Sequence, residues 1–519
     1  MLPSSSSTIL RLARPSTASV ALFGGSSTAP ASNQRVSEPG YLGYLSHAVS
    51  NIITNLTWNT TNTTSPPTDP STSATVPKKH ARPIVLKVSR SEVSSKTTAL
   101  VRKLLHTELD SINTRVLRIK ELSNHLQAYP ATRLSAVQDP QLISLLLNLE
   151  SSTSDDGLKR ESRICLALCG YVKPPKGRGY NLLTIDGGGT RGMMGLEVLE
   201  ALETASGGKK VHELFDHIVG VSTGAIIAVM LGVKKMSVAE CRQTYMEISR
   251  KLFSQTMISG ATGLIFNHSY YDTKKWILML KEILGDKMMI CSSGEEGTPK
   301  ISVVSSIVNL PLLEPFIFRN YEHSAGRDSH YRGGTSHNLW QAVQASAAAP
   351  GYFEEVILGD ILHQDGGVIA NNPTAIGVHE AKTLWPDEKL SCLVSVGNGR
   401  TVQELEPTPL FSASKTRHKI LKIVDSATDT EAVHIAVRDL IDESKYYRFN
   451  PYMSHPYGLD EIDAARLEQM VLDAKLYVRR NIQKITTAAT QLNLKPTTLQ
   501  TVTRSLQDYK HRRGGYAPH

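Results

Sequence analysis

Residues 214–231 read LFDHIVGVSTGAIIAVML, and the order of residue types along them decides the fold class. Leu214 to Val219 is a short strand candidate. Gly220-Val221-Ser222-Thr223-Gly224 follows as a G-x-S-x-G sequence, and Ala225 to Leu231 is apolar throughout, as the start of a buried helix would be. Strand, tight turn and helix in that order present a serine at the end of the strand. Small flanking residues let the chain reverse sharply, so that Oγ projects with the helix dipole behind it. G-x-S-x-G is common by chance, and its place between a strand and a helix is what makes Ser222 a candidate nucleophile.

One unit earlier the pattern repeats with a different turn. Asn181 to Ile185 (NLLTI) is a short strand candidate, Asp186-Gly187-Gly188-Gly189-Thr190-Arg191-Gly192 follows, and the chain turns helical from Met193, with Leu196, Val198 and Leu199 as apolar positions. Consecutive glycines permit backbone geometries that aim several N–H groups at one small volume beside a helix N-terminus. Such a cradle holds a phosphate or the oxyanion of an acyl-transfer intermediate. Gly187-x-Gly189-x-x-Gly192 also spells a dinucleotide pattern. That reading needs an acid about 20 residues on, at the end of the second strand, and here the second strand leads into the serine turn instead.

A serine nucleophile needs a base, most often a histidine held by an acid. His337 precedes a helical segment, His363 lies two residues before Asp365, His379 falls in a helical stretch, and His434 is well downstream. None stands in a distinctive catalytic context. Asp365-Gly366-Gly367 follows the strand candidate Glu355 to Leu358 and leads into Asn371-Asn372-Pro373, a polar turn before a helix. A carboxylate there could take the serine proton directly if apolar surroundings raise its pKa. It could equally be a plain Asp-Gly turn. Residue chemistry alone leaves the two readings level.

The rest of the 519 residues bounds the function. The first 100 residues carry nine Lys/Arg against three acids, whereas the remaining 419 carry 48 basic and 45 acidic groups. The formal charge of +9 is therefore mostly a terminal feature, which argues against a nucleic-acid-binding body. Five cysteines (Cys165, Cys169, Cys241, Cys291, Cys392) are widely spread and complete neither a disulfide scaffold nor a zinc pattern, which suits a reducing compartment. The longest apolar run, Ala225 to Val233, is far short of the roughly 18 residues that span a bilayer.

Residues 1–37 hold Arg11, Arg14 and Arg35, many hydroxyl side chains and no acid, the composition of a mitochondrial transit peptide or of a disordered tail. Residues 38–93 comprise a short apolar segment, Tyr41 to Ile53, which could lie on a membrane or dock on the body, and a Ser/Thr/Pro-rich linker at 59–77. Leu105, Leu109, Ile112, Val116, Ile119 and Leu126 recur at mostly three- to four-residue intervals, which predicts one long amphipathic helix opening a helical module at 94–177. Pro174, Pro175, Gly177 and Gly179 mark the boundary before a catalytic domain at 178–400. Residues 401–519 read as a helical extension, with helices at Glu431 to Glu443, Leu459 to Val478 and Leu499 to Lys510 and a basic cluster at Lys510 to Arg513.

The trio DGGGTRG (186–192), GVSTG (220–224) and DGG (365–367) resembles the patatin-like phospholipases, and the calcium-independent phospholipases A2 among them most closely. FNHSYYDTKKW (266–276), FRNY (318–321), HYRGG (330–334), ASAAAPGYF (345–353) and CLVSVGNGR (392–400) support the likeness, which is strong from about Asn181 to Arg400. The resemblance implies a three-layer α/β/α patatin-like fold and a Ser–Asp dyad without a catalytic histidine. By motif position Ser222 is then the nucleophile and Asp365 its base. Backbone amides of Gly188 and Gly189 form the oxyanion hole, Arg191 neighbours the anionic head group or steadies the loop, and Gly187, Gly192, Gly220, Gly224, Gly366 and Gly367 support the turns.

The implied activity is calcium-independent phospholipase A-type hydrolysis of membrane glycerophospholipids through an acyl-serine intermediate. No cofactor or metal is expected, and the expected partners are a phospholipid membrane surface and the glycerophospholipid itself, with no nucleic acid. The implied location is mitochondrial or on another intracellular membrane. Ala517-Pro518-His519 differs from a peroxisomal Ser-Lys-Leu-type terminus, so import by that route is not expected. The rival readings are an acyltransferase or neutral-lipid hydrolase with the same dyad, and a non-catalytic lipid-binding protein on the same fold.

Overall fold

The computed structural model describes residues 89–106, 111–254, 271–401 and 430–518. The expectations for residues 1–37, 41–53 and 59–77 lie outside them, as do Leu109 and residues 266–270.

The amphipathic helix predicted over Leu105 to Leu126 is split between two helices. α1 (Arg90–Leu105) ends at His106, and α2 (Ile112–Ala128) restarts with Ser111 as its N-cap, the hydroxyl accepting from Thr114 N at 3.3 Å. The helices pack together, with Leu100, Val101 and Leu104 sharing one core with Ile119, Leu122 and Leu126. Both stripes carry the same helical period, so the break between them does not show in the apolar pattern. α3 (Arg133–Val137), α4 (Pro140–Ser152) and α5 (Asp156–Leu168) complete the module. Pro140 opens α4, where its missing N–H costs nothing, after the Asp139 N-cap. Cys165 and Cys169 sit in this core as free, buried thiols.

The catalytic part is built on one sheet. Its strands among the described residues are β1 (Tyr180–Ile185), β2 (His217–Val221), β3 (Lys300–Ile307), β4 (Glu314–Arg319), β5 (Arg332–Gly334), β6 (Val356–Leu358), β7 (Ile361–Asp365), β8 (Leu390–Val396) and β9 (Tyr446–Phe449). The order across it is β5-β4-β3-β2-β1-β8-β9, with β7 paired to both β3 and β6. β3, β2, β1, β8 and β9 are mutually parallel, whereas β4 and β7 run antiparallel to β3.

Side chains alternate between two cores, Leu183 and Ile185 facing one way and Tyr180 and Leu182 the other. Leu182, Leu183 and Leu393 are fully buried, each stabilising the fold by about 1.5–3 kcal/mol. The first face is covered by α6 (Gly192–Ala205), α7 (Val211–Leu214), α8 (Thr223–Gly232), α9 (Val238–Phe253), α10 (Thr273–Leu284) and α11 (Leu339–Ser346). After the single turn α12 (Gly367–Ala370), α13 (Thr374–Leu384) and α14 (Thr430–Leu440) cover the second through Ile376, Ala381, Leu384 and Val437. α15 (Ala464–Arg480) and α16 (Ile482–Leu492) return to the first face, and α17 (Thr498–Arg512) buries none of its residues. The architecture is three-layer α/β/α.

The extension expected to be helical from residue 401 also contributes a strand: β9 adds a parallel neighbour to β8, so the sheet is not confined to 178–400. Its four residues, YYRF, carry Arg448 among apolar side chains and are too few to show a strand alternation.

Candidate active site

Ser222 stands between β2 and α8 at φ 54° and ψ −122°, a conformation that costs a non-glycine residue on the order of 1–3 kcal/mol. The turn is tight because α8 runs back hard against β1 and β2. A Cβ on Gly220 would lie 2.2 Å from the Gly224 carbonyl oxygen, and one on Gly224 would lie 2.2 Å from that of Ile185. Gly224→Ala is accordingly expected to lower the free energy of unfolding by about 1–3 kcal/mol, read as a lower urea midpoint; an unchanged midpoint would show that the close approach does not require glycine. The strained residue is anchored from outside the turn. Ser222 N donates to Ser346 Oγ at 2.8 Å, and Ser346 Oγ donates in turn to the Val304 carbonyl at 2.5 Å.

Sheet register brings Asp365 to the serine. β2 pairs with β3 as far as Val221 opposite Val304, and β7 takes over the same edge of β3 with Asp365 opposite Ser305. The residue after β2 and the last residue of β7 therefore meet at one point. Ser222 Oγ donates to Asp365 Oδ2 at 2.6 Å, and Gly367 N donates to Oδ1 at 2.6 Å. Gly366 N donates to the Ser346 carbonyl at 3.1 Å, holding the turn after the aspartate. Asp365 is 5% exposed. Burial pushes its carboxyl up to about 6, and the hydrogen bonds from Ser222 and Gly367 restrain the rise.

The histidines lie elsewhere. His363 Nδ1 pairs with Ser305 Oγ at 2.9 Å, and its ring and that of His337 pack on Phe316 and Phe318. His379 is on α13 and His434 on α14. Among the described residues no histidine lines the cavity at Ser222.

The glycine turn after β1 faces the same spot. Gly189 has φ 56°, and among the described residues neither Gly188 N nor Gly189 N has an acceptor. Their carbonyls are occupied. Gly188 O accepts from Arg191 N at 3.2 Å and Arg191 Nε at 3.1 Å, while Gly189 O accepts from Tyr245 OH at 2.7 Å and Thr223 Oγ1 at 3.0 Å. In a trans peptide the N–H points opposite the carbonyl, so pinning Gly188 O aims Gly189 N–H away from Arg191. Arg191 thereby holds the loop, and it also lines the cavity at Ser222. Gly187 N donates to the Asn371 carbonyl at 3.2 Å, and Gly192 begins α6.

Supports from distant sequence were not legible as site residues. Arg448 on β9 holds Asp186 in a bidentate pair, Nη1 to Oδ1 at 2.9 Å and Nη2 to Oδ2 at 2.6 Å. Burial pushes the Asp186 carboxyl up to about 6, and the guanidinium limits the rise. Asn398, just after β8, donates through Nδ2 to the Asp186 carbonyl at 2.5 Å. A charged residue inside an otherwise apolar strand was the one signal that could have flagged Arg448.

Ser222, Asp365, Gly188 and Gly189 open onto a cavity of about 230 Å³. Its walls are largely apolar, with Ile226, Ile248, Leu252, Trp276 and Phe353 prominent. Trp276 and Phe353 stack with ring centroids 5.9 Å apart. A polar corner with a nucleophile, a carboxylate and two amide donors, set in an apolar chamber, is arranged for acyl transfer from an ester whose acyl group is hydrophobic.

Residues 183–378 match the family described as patatin-like phospholipase, and the chain carries a domain of that family. It is 42% identical over 416 residues to the calcium-independent phospholipase A2-gamma of Homo sapiens, an alignment covering 80% of this chain and 52% of that protein. It is 30% identical over 372 residues to phospholipase A I of Arabidopsis thaliana, covering 61% of this chain and 28% of that one. It is 26% identical over 344 residues to the 85/88 kDa calcium-independent phospholipase A2 of Mus musculus, covering 59% and 40%. The chain thus spans about half the length of the gamma relatives it matches.

Proposed function

We propose that this protein is a calcium-independent phospholipase A-type hydrolase that cleaves fatty acyl esters of glycerophospholipids through an acyl-Ser222 intermediate. The observation that carries the reading is the 2.6 Å hydrogen bond from Ser222 Oγ to the buried Asp365 carboxylate, made at the rim of an apolar cavity. Ser222 Oγ attacks the ester carbonyl carbon as its proton passes to Asp365 Oδ2. The carbonyl oxygen becomes an oxyanion beside Gly188 N–H and Gly189 N–H, where one such donor contributes about 10²–10³-fold in rate. Collapse breaks the ester bond, and Asp365 returns the proton to the leaving glycerol oxygen, releasing a lysophospholipid. Water then attacks the acyl-serine, giving its proton to Asp365, and Ser222 leaves reprotonated with the fatty acid free.

The donor set supports calcium independence. Calcium takes six to eight oxygen ligands, several of them carboxylates, whereas Asp365 is the sole carboxylate lining the cavity among the described residues, and it is engaged by Ser222 and Gly367. The names of two of the relatives agree. Action at a bilayer surface belongs to the same reading, because the substrate resides there. The acid-free composition of residues 1–37 supports delivery to mitochondria, on composition alone.

The test is fatty-acid release from phosphatidylcholine vesicles by the full chain, in EGTA and again in added calcium. Equal rates in the two conditions are expected. Release that requires calcium, or products consisting of transacylated lipid in place of free fatty acid, would contradict the reading.

A further inference from the structure

A second cavity, of about 470 Å³, opens along the same edge of the sheet. β8 and β9 are parallel neighbours beside β1, and Arg400, beyond the end of β8, and Asn450 and Tyr452, beyond the end of β9, line it together with residues of α14, α15 and α16. Open α/β sheets bind ligands in crevices outside the carboxyl ends of their strands. This cavity shares no lining residue with the one at Ser222.

Four cations line it: Arg400, Arg448, Arg480 and Lys484. The carboxylates facing them are Glu431 and Asp473, with Asp186 paired to Arg448 from behind. His434 also lines the space, with Nδ1 3.0 Å from the Tyr446 hydroxyl, and burial lowers its pKa, keeping it neutral at pH 7.

Among the described residues these carboxylates reach two of the four cations, Arg400 and Arg448. Asp186 engages Arg448, and Glu431 accepts from Arg400 at 3.1 Å and from Arg448 at 3.3 Å. Asp473 is taken up by neutral donors, accepting from Ser454 N and Oγ at 2.8 Å, Tyr457 OH at 3.0 Å and Gln469 Nε2 at 3.0 Å. Among the described residues Arg480 and Lys484 have no carboxylate partner; Lys484 gives one N–H to the Arg448 carbonyl at 2.6 Å. The Arg448 side chain is 3% exposed, and its Nε–H, like that of Arg400, is buried without an acceptor. Burial, and after it the nearby charges of Arg400 and Arg448, lower the pKa of Lys484.

The geometry points to a binding site for a phosphate-type anion, held by Arg480 and Lys484, with the guanidinium groups of Arg400 and Arg448 adding positive charge to the same lining. A tetrahedral oxyanion offers acceptor oxygens in several directions, which suits donors arriving from two helices, Arg480 at the end of α15 and Lys484 in α16, beside the charges of Arg400 and Arg448. A carboxylate offers two oxygens in one plane and meets fewer of them. The room around the cations accepts a phosphomonoester as well as inorganic phosphate.

The test uses the full chain with Ser222→Ala, so that no lipid is consumed. Inorganic phosphate is titrated calorimetrically against a chloride control of equal ionic strength. Saturable binding at one site is expected, weakened about tenfold or more in Arg480→Ala/Lys484→Ala. Arg480→Glu, at an exposed position, is expected to weaken it likewise and serves if the double variant misfolds. Retention on phosphatidylcholine vesicles with and without phosphatidic acid separates the sources. Retention that requires phosphatidic acid and Arg480 marks a lipid phosphomonoester as the ligand. Phosphate binding without such retention marks a soluble one. Phosphate bound no better than chloride, or bound equally by folded Arg480→Glu and the double variant, would overturn the site.

Discussion

Asp365→Asn is expected to lower kcat/KM for phospholipid hydrolysis by about 10³-fold or more while leaving the fold as stable as before or more so. The asparagine keeps the shape of the side chain and an oxygen for Gly367 N. It loses the acceptor for the serine proton, because an amide NH₂ at the position of Oδ2 confronts Ser222 Oγ 2.6 Å away with a donor. Ser222→Ala is expected to cost at least as much. The stability expectation has the opposite sign, for a physical reason. A carboxyl whose folded pKa, about 6, lies above its unfolded value binds more protons folded than unfolded between those values. Its contribution to stability therefore falls as pH rises through that window, and at pH 8 the buried charge is a cost that asparagine removes. Activity runs the other way, since the base must be ionised. In wild type kcat/KM should fall about tenfold per unit below pH 6 and level off above it. Loss of activity accompanied by an equal loss of stability would assign Asp365 a structural role only.

The second large effect concerns the pair behind the glycine turn. Arg448→Met leaves Asp186 buried without its guanidinium, and breaking a buried ion pair from one side costs about 3–5 kcal/mol. The loss should be greatest at pH 8. With its cation gone the Asp186 pKa rises further, so the variant regains stability as pH falls and the carboxyl protonates. Asp186→Asn combined with Arg448→Met is expected to recover much of the loss at pH 8, because no buried charge remains. Urea midpoints at pH 5.5 and 8 for the two single variants and the double variant measure this directly. A deficit in Arg448→Met that is independent of pH, or purely additive effects in the double variant, would mean that the guanidinium serves packing and not the charge of Asp186.

The difference between these two cases is also the difference between what the residues disclosed and what they did not. The elbow at Ser222 and the turn at Gly187 to Gly189 are local: strand, turn and helix lie within a few residues of each other, and a Cβ at Gly220 would collide with Gly224 inside the same unit. At Gly220 the sterics are local and leave a local signature, whereas Gly224 is fixed by the neighbouring strand β1. Asp365 was half legible, since an Asp-Gly turn looks the same whether or not a serine faces it. What brings it to Ser222 is β7 following β2 along one edge of β3, a register that no short stretch of sequence encodes.

Arg448 is further out of reach, 262 residues from Asp186 on a four-residue strand whose pairing with β8 is its reason for being extended. The split between α1 and α2 was hidden for a different reason, because two helices packed on one core keep the same apolar period on either side of the break.

The most direct measurement is intact-protein and peptide mass spectrometry of the full chain mixed rapidly with phosphatidylcholine vesicles in EGTA and quenched in acid. The expected result is a transient mass increase of one fatty acyl group, mapping to the peptide that carries Ser222, absent in Ser222→Ala and slow to form in Asp365→Asn. Turnover at the wild-type rate in Ser222→Ala, or an acyl group found on any other residue, would contradict the Ser222–Asp365 site.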